Sequence, residues 1–316
     1  MNTIRFAIIG LGHIGRQHLK MIDACPGAQL VAYCNEEKVK DVHVPYFSTI
    51  QDVLASGIAI DVVTVCTPSG MHAEQAIYAL EQNCHVLCEK PLTISSADAK
   101  RMINTAAQYS KKIFCVMQNR FSPISQWLKQ LVTESKLGKI YQVELNCFWN
   151  RNDEYYTRSS WHGKVELDGG MLFTQFSHFI DTLLWVFGDI QNISSKLRCE
   201  QHSFFDSAVV TFDFCSGGMG VMNFSTLAYE KNYESSITIL AEQGIVKVSG
   251  QYMDRIEYCN VKNCEIPTFV QNDHPNHFYV IQNVVDVLNG KSAIAVGSED
   301  GLKVVELIER IYTQTL

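Results

Sequence analysis

Gly10, Gly12 and Gly15 follow a short apolar run, Ile4 to Ile9, in the spacing G-x-G-x-x-G. That spacing suits a dinucleotide. Gly10 makes a tight turn, Gly12 lets backbone approach a pyrophosphate, and Gly15 lets the following helix pack close to the strand. His13 and Ile14 open that helix, whose N-terminal N–H groups and positive dipole end face the phosphates. A second strand ends about 20 residues later, where an acidic side chain hydrogen-bonds the ribose diol of NAD. Here the chain reads Asn35-Glu36-Glu37. Asn35 can bond a hydroxyl, Glu36 or Glu37 repels a 2′-phosphate, and the nearest cation is Lys38, so NAD is favoured over NADP.

Two further residues have the chemistry for the other half of a redox reaction. Lys90, in Glu89-Lys90-Pro91, follows the carboxyl end of a predicted parallel strand, where open α/β sheets bind ligands. Oxidising a secondary alcohol needs a base near the hydroxyl while hydride leaves for the nicotinamide. A lysine beside a cationic nicotinamide has its pKa lowered toward that use, and a charged one stabilises the developing alkoxide. His178 is the second candidate. Thr174, His178 and Asp181 stand at i, i+4 and i+7 of a helix predicted over 170–186, amid Leu172, Phe173, Phe176, Phe179 and Leu183. A polar stripe on so apolar a helix needs partners, and an imidazole there is a general acid or base near neutrality. Which of Lys90 and His178 accepts the proton stays open at this level.

The elements that must hold these groups alternate through the first third. Strands at 4–9, 28–34, 62–66 and 85–88 are separated by helices at 13–24, 49–55 and 71–82, with a further helix at 96–109 and strand at 113–117. That alternation predicts a doubly wound parallel sheet, a Rossmann domain, over 1–120. Beyond it the pattern predicts an α+β domain over 121–316. It comprises a helix at 123–135, a strand at 140–149, the 170–186 helix, a large and mostly antiparallel open sheet from 192 to 259, and closing helices at 276–288 and 299–312.

Composition narrows the function classes. With 316 residues, 47% hydrophobic and 19% charged, the chain has material for two cores. A net charge of −7 argues against nucleic-acid and membrane-surface partners, which want a broad basic face. The 11 cysteines form no C-x-x-C pair and read as reduced thiols of a cytoplasmic protein. No metal site is expected. In Cys84-His85-Val86-Leu87-Cys88 strand alternation sends Cys84 and His85 to opposite faces, and His274 and His277 read as the opening of a helix.

Taken together, these motifs resemble the glucose–fructose oxidoreductase / inositol dehydrogenase (Gfo/Idh/MocA) family over essentially the whole chain. They are Gly10–Gly15, Cys66-Thr67-Pro68 with His72, Glu89-Lys90-Pro91, and Gly169-Gly170 leading to His178 and Asp181. The resemblance implies that Thr67, Pro68 and His72 border the cofactor, that Lys90 stands between nicotinamide ribose and substrate, and that Pro91 forms a cis bond. It also implies pairing of the second domain's open sheet into a homodimer or homotetramer. The family's commonest pattern has Asp four residues before the His and Gly two before it. This chain has Thr174 and Phe176, so Thr174 with Gln175 would orient a hydroxyl rather than act as a base.

Ser159-Ser160-Trp161-His162-Gly163 is similar to the Ser-Trp motif of members that oxidise C3 of UDP-N-acetylglucosamine or its uronic acid in polysaccharide biosynthesis. Gln118-Asn119-Arg120 resembles the stretch that approaches nicotinamide and sugar, bringing Gln118 to the cofactor and Arg120 to the substrate. Arg151 and Arg158 are candidates for pairing a carboxylate or diphosphate. The expected activity is therefore NAD-dependent oxidation of a nucleotide-linked hexosamine or its uronate. The alternatives are a free polyol or monosaccharide dehydrogenase and a non-catalytic NAD-binding regulator.

Overall fold

A computed structural model describes residues 2–269 and 272–314. The chain forms two compact units, the first running to Met117 and adding His274–Val305, the second comprising Gln118–Asp273 and the segment from Glu306. The units are thus interleaved, where the sequence pattern had placed one contiguous domain after the other from residue 121.

In the first unit the elements are β1 (Ile4–Ile9), α1 (His13–Ala24), β2 (Ala28–Cys34), β3 (Tyr46–Phe47), α2 (Ile50–Ala55), β4 (Val62–Val65), α3 (His72–Glu81), β5 (His85–Cys88), α4 (Ser96–Gln108) and β6 (Ile113–Cys115). The strands form one parallel sheet in the order β3-β2-β1-β4-β5-β6. Val62, Val63 and Val65 are fully buried, as strands covered on both faces require, each side chain contributing roughly 1.5–3 kcal/mol. Thr49 and Ser95 cap α2 and α4 by accepting the Asp52 and Asp98 N–H groups. The strand order reverses between β1 and β4, and the loops after their carboxyl ends carry Gly10 and Thr67. The 274–305 segment joins this unit because its helix packs on α1 and Cys115 donates its N–H to the Val296 carbonyl.

The second unit contains α5 (Pro123–Thr133), β7 (Ile140–Phe148), α6 (Asp153–Thr157), α7 (Val165–Asp168), α8 (Ser177–Phe187), β8 (Ile190–Arg198), β9 (Ser207–Phe214), β10 (Met219–Ser225), β11 (Glu234–Ala241), β12 (Gly244–Ser249) and β13 (Arg255–Val261). The helix of the 274–305 segment is α9 (Asn276–Leu288). The last helix, α10 (Ser298–Thr313), enters the second unit from Glu306. The seven strands lie in the order β13-β12-β11-β7-β10-β9-β8, antiparallel except for the pair β7 and β10.

Period-two alternation gives this sheet one apolar face, with Val143, Leu145, Val210, Phe212, Met222 and Phe224 buried. Phe176 stacks on Phe224 at 5.0 Å, and Trp149 meets Phe176 and Phe179 edge-on. These ring contacts seat α8, on which Phe179, Ile180 and Leu183 are buried, against the sheet. The helix predicted over 170–186 is interrupted. Leu172–Phe176 is wound as a π turn and regular α geometry begins at Ser177. The disturbance starts at Asp168, whose carboxylate accepts the Gly163 and Gly170 N–H groups at 2.6 and 2.7 Å, while its carbonyl accepts the Thr174 hydroxyl. Among the described residues no helix is long and apolar enough to cross a membrane.

Candidate active site

In the first unit the glycine loop follows the carboxyl end of β1. Gly10 sits at φ +88°, and a Cβ there would lie 2.9 Å from the Cys66 carbonyl carbon and oxygen, so the turn needs glycine. A Cβ on Gly15 would lie 2.1 Å from the Gly10 carbonyl oxygen, which is how closely α1 passes the strand end. Gly12 differs in kind. A Cβ there meets nothing within 4 Å, so its side faces open space at the exposed start of α1, beside His13 and half-buried Ile14. The three glycines therefore meet the turn, approach and packing demands of a pyrophosphate, and these residues fit NAD.

Asn35 is engaged with its own chain. Its amide oxygen accepts the Leu11 N–H at 3.0 Å and its NH2 donates to the Glu37 carbonyl, so it braces the glycine loop to the end of β2. Glu36, next to it, is exposed. His72 is a buried side chain. It is 1% exposed, its Nδ1 and Nε2 lie 2.9 and 2.8 Å from the Pro91 and Thr67 carbonyl oxygens, and burial lowers its pKa. The ring cross-braces the loops after β4 and β5, where half-buried Thr67 donates its hydroxyl to Gln75 and half-buried Pro68 follows.

Lys90 is half-buried two residues beyond β5, and its bond to Pro91 is cis. Its backbone N–H donates to Glu89 Oε2 at 3.0 Å, and the other carboxylate oxygen lies 2.7 Å from Nε2 of fully buried His18. Burial alone would raise the Glu89 pKa. The His18 bond and charge, with smaller effects of His277 and Lys90, outweigh it and hold Glu89 down to about 2. His277, brought in on α9, meets the His18 ring edge-on at 5.8 Å and accepts from Gln17 at Nδ1. Burial brings its pKa down to about 4.

Neither His18 nor His277 stood out by motif. The available signal was that His18 shares the buried stripe of α1 with Gly15, Met21 and Ile22. A titratable group in an apolar stripe requires a partner.

In the second unit the polar stripe of α8 does find partners, on the 3-10 turn Gln118–Phe121. His178 Nε2 is 3.1 Å from the Gln118 side-chain amide, and both residues are buried. This places Gln118, expected at the cofactor, against the imidazole. Arg120, expected to bind substrate, instead forms a two-pronged ion pair with Asp181 at 2.9 and 2.6 Å, the two being 8% and 1% exposed. Its guanidinium also lies over Trp185. Two buried opposite charges in that geometry satisfy each other.

Arg158 lies at the surface. It is 73% exposed and pairs with Glu154 one turn earlier on the surface. Thr174 turns its hydroxyl onto the Asp168 carbonyl. Trp161 lies against His162, which stacks on Tyr155 at 4.3 Å. Buried Gln175 joins Arg151 Nε at 2.8 Å to the Tyr155 hydroxyl at 2.6 Å. Asp168 and Tyr155, which organise this region, were not singled out by pattern. Burial raises the pKa of both.

Comparison with known proteins identifies the family. Residues 4–117 match the model of the Gfo/Idh/MocA oxidoreductase family, NAD-binding Rossmann fold, and residues 125–247 match the Gfo/Idh/MocA C-terminal domain. The chain is 26% identical to D-glucoside 3-dehydrogenase of Escherichia coli (strain K12), covering 98% of this chain and 95% of that protein. It is 25% identical to glucose-6-phosphate 3-dehydrogenase of Bacillus subtilis (strain 168), covering 87% and 83%. Among solved structures, the WlbA dehydrogenase of Bordetella pertussis in complex with NADH and UDP-GlcNAcA superposes with a TM-score of 0.91. It is 30% identical, over 99% of this chain and 95% of that one.

Proposed function

We propose, from the chain's membership of the Gfo/Idh/MocA oxidoreductase family, that it oxidises C3 of a UDP-linked N-acetylhexosamine or its uronate, in polysaccharide biosynthesis. The observation that carries the substrate class is the likeness, over nearly the whole of both chains, to a dehydrogenase bound to NADH and UDP-GlcNAcA. The cofactor is NAD, held by Gly10, Gly12, Gly15 and the start of α1, with Glu36 disfavouring a 2′-phosphate. Bound NAD supplies the hydride acceptor.

The chain's own residues manage the proton. His178 Nε2 is already engaged by Gln118, so we assign the hydroxyl proton to Lys90 Nζ and a hydrogen-bonding role at the sugar to His178. Glu89, held ionised by His18, anchors the Lys90 backbone N–H so that the lysine's point of attachment is fixed. In the first unit Thr67 and Pro68 border the cofactor; in the second, Gln175 with Arg151 presents polar groups to the substrate.

A free-sugar dehydrogenase is the second reading, favoured by the likeness to D-glucoside 3-dehydrogenase. The outer face of the second unit's sheet exposes Tyr141, Val209, Met219 and Tyr258 at 50–58%, an apolar surface we assign to pairing of copies in a homodimer or homotetramer. All 11 cysteines are free thiols, in keeping with a cytoplasmic protein.

The deciding experiment follows NADH absorbance with NAD and, in parallel, UDP-GlcNAc, UDP-GlcNAcA, myo-inositol and glucose. Reduction with a UDP-sugar supports the proposal. Reduction only with a free sugar or polyol replaces it with the second reading, and tight NADH binding without turnover of any sugar would mark a regulator.

A further inference from the structure

Arg151 lacks the carboxylate partner that buried Arg120 has. Its guanidinium is half-buried at the carboxyl end of β7, 4.7 Å from the Trp149 ring centre and 4.9 Å from that of Tyr155. Nε donates to Gln175 Oε1, and Nη1 donates to the Asn150 carbonyl at 2.5 Å and to Asn232 Oδ1 at 3.1 Å. All of these partners are neutral. Among the described residues no carboxylate pairs with Arg151, whereas buried Arg120 has Asp181 and even exposed Arg101 has Glu74 and Asp98. Burial accordingly lowers the Arg151 pKa with only tyrosine hydroxyls opposing it.

Holding a partly dehydrated cation between two rings without a counter-charge costs free energy, which an incoming anion recovers. The network also fixes the guanidinium plane. Gln175 ties the group to the turn that leads into His178.

We propose that Arg151 is the residue by which this enzyme selects a uronate, its guanidinium taking the sugar carboxylate. This rests on the reading of the chain as a nucleotide-sugar dehydrogenase and names the substrate within that class. Charge count favours the carboxylate over the diphosphate. One planar monocation matches one planar monoanion bidentately, whereas a diphosphate calls for further cations. The other candidate, Arg158, is exposed and paired with Glu154. A neutral hexosamine leaves the Arg151 charge uncompensated, so the discrimination comes from the cost of that unpaired ion.

The test compares wild type, Arg151→Met and Arg151→Lys on UDP-GlcNAcA and UDP-GlcNAc, with UDP as a competitive inhibitor. Arg151→Met is expected to lower kcat/KM for the uronate about 100-fold, mainly through KM, and by at least about 10-fold more than for the neutral sugar, with UDP inhibition retained. Arg151→Lys, which keeps the charge without the fork, should recover part of the loss and guards against a folding defect in the Met variant. Equal losses on both sugars overturn the proposal, and if UDP inhibition weakens with them the diphosphate is the ligand. Wild type inactive on both UDP-sugars refutes the underlying reading instead, and the carboxylate assignment is then decided by glucuronate against glucose with the same variants.

Discussion

Removing the His18 ring should destabilise the first unit by an amount set by one buried carboxylate. Glu89 is 5% exposed, and its two oxygens accept from His18 Nε2 at 2.7 Å and from the Lys90 N–H at 3.0 Å. Its pKa falls from 4.5 to about 2, a difference worth roughly 3 kcal/mol at about 1.4 kcal/mol per unit. Breaking a buried pair by deleting one member costs about 3–5 kcal/mol in general, the same order. His18→Leu, which keeps apolar volume, should therefore lose about 3 kcal/mol in urea unfolding at pH 7.

The pH dependence has a definite sign. The folded pKa of Glu89 lies below its unfolded value, so this contribution is fully present above pH 4.5 and is lost as pH falls toward about 2. The gap between wild type and His18→Leu should narrow over that window. In a Glu89→Gln background the same substitution should cost less than about half as much, because the charge it exposes is absent. An equal cost in both backgrounds, or a gap that does not narrow on acidification, would show that His18 acts by packing and not through Glu89.

Gly12→Ala should leave the unfolding midpoint of the unliganded protein nearly unchanged, since its Cβ meets nothing, yet weaken NADH binding at least about 10-fold in a fluorescence titration. Gly15→Ala places a Cβ 2.1 Å from a carbonyl oxygen and should cost about 1–3 kcal/mol of stability in the same titration buffer, measured by denaturant. Arg120→Met breaks the buried ion pair with Asp181 and should cost about 3–5 kcal/mol, whereas exposed Arg158→Ala should stay within about 0.5 kcal/mol in unfolding and leave kcat/KM unchanged. Lys90→Met should lower kcat by about 100-fold or more with NADH affinity retained, measured by steady-state turnover and titration.

Local pattern was enough wherever one element determined its own environment. Helix α1 begins at His13 and ends at Ala24 as its glycine motif and apolar period require, and α9 likewise spans Asn276–Leu288. The parallel first sheet could be read because strands such as Val62–Val65 are apolar throughout.

What escaped depends on partners distant in sequence. The π turn at Leu172–Phe176 follows from a carboxylate, Asp168, that collects N–H groups from Gly163 and Gly170, and helical periodicity carries no trace of that. Three arginines looked alike as sequence and became three different things, because Arg120 found Asp181, Arg158 stayed at the surface with Glu154, and Arg151 was enclosed by neutral groups. The parallel β7 and β10 pair is equally silent, since side-chain alternation is the same for either strand direction. His277 lies 259 residues from His18, and only the return of 274–305 to the first unit makes them neighbours.

The most direct measurement uses UDP-GlcNAcA carrying deuterium at C3 with NAD and the wild-type enzyme, reading the isotope in the reduced cofactor by mass spectrometry. The account predicts one deuterium on the nicotinamide ring, abolished with Lys90→Met. Unlabelled NADH formed at a normal rate would mean that hydride leaves another carbon, and no NADH from this substrate under conditions where a free sugar reduces NAD would contradict the nucleotide-sugar assignment.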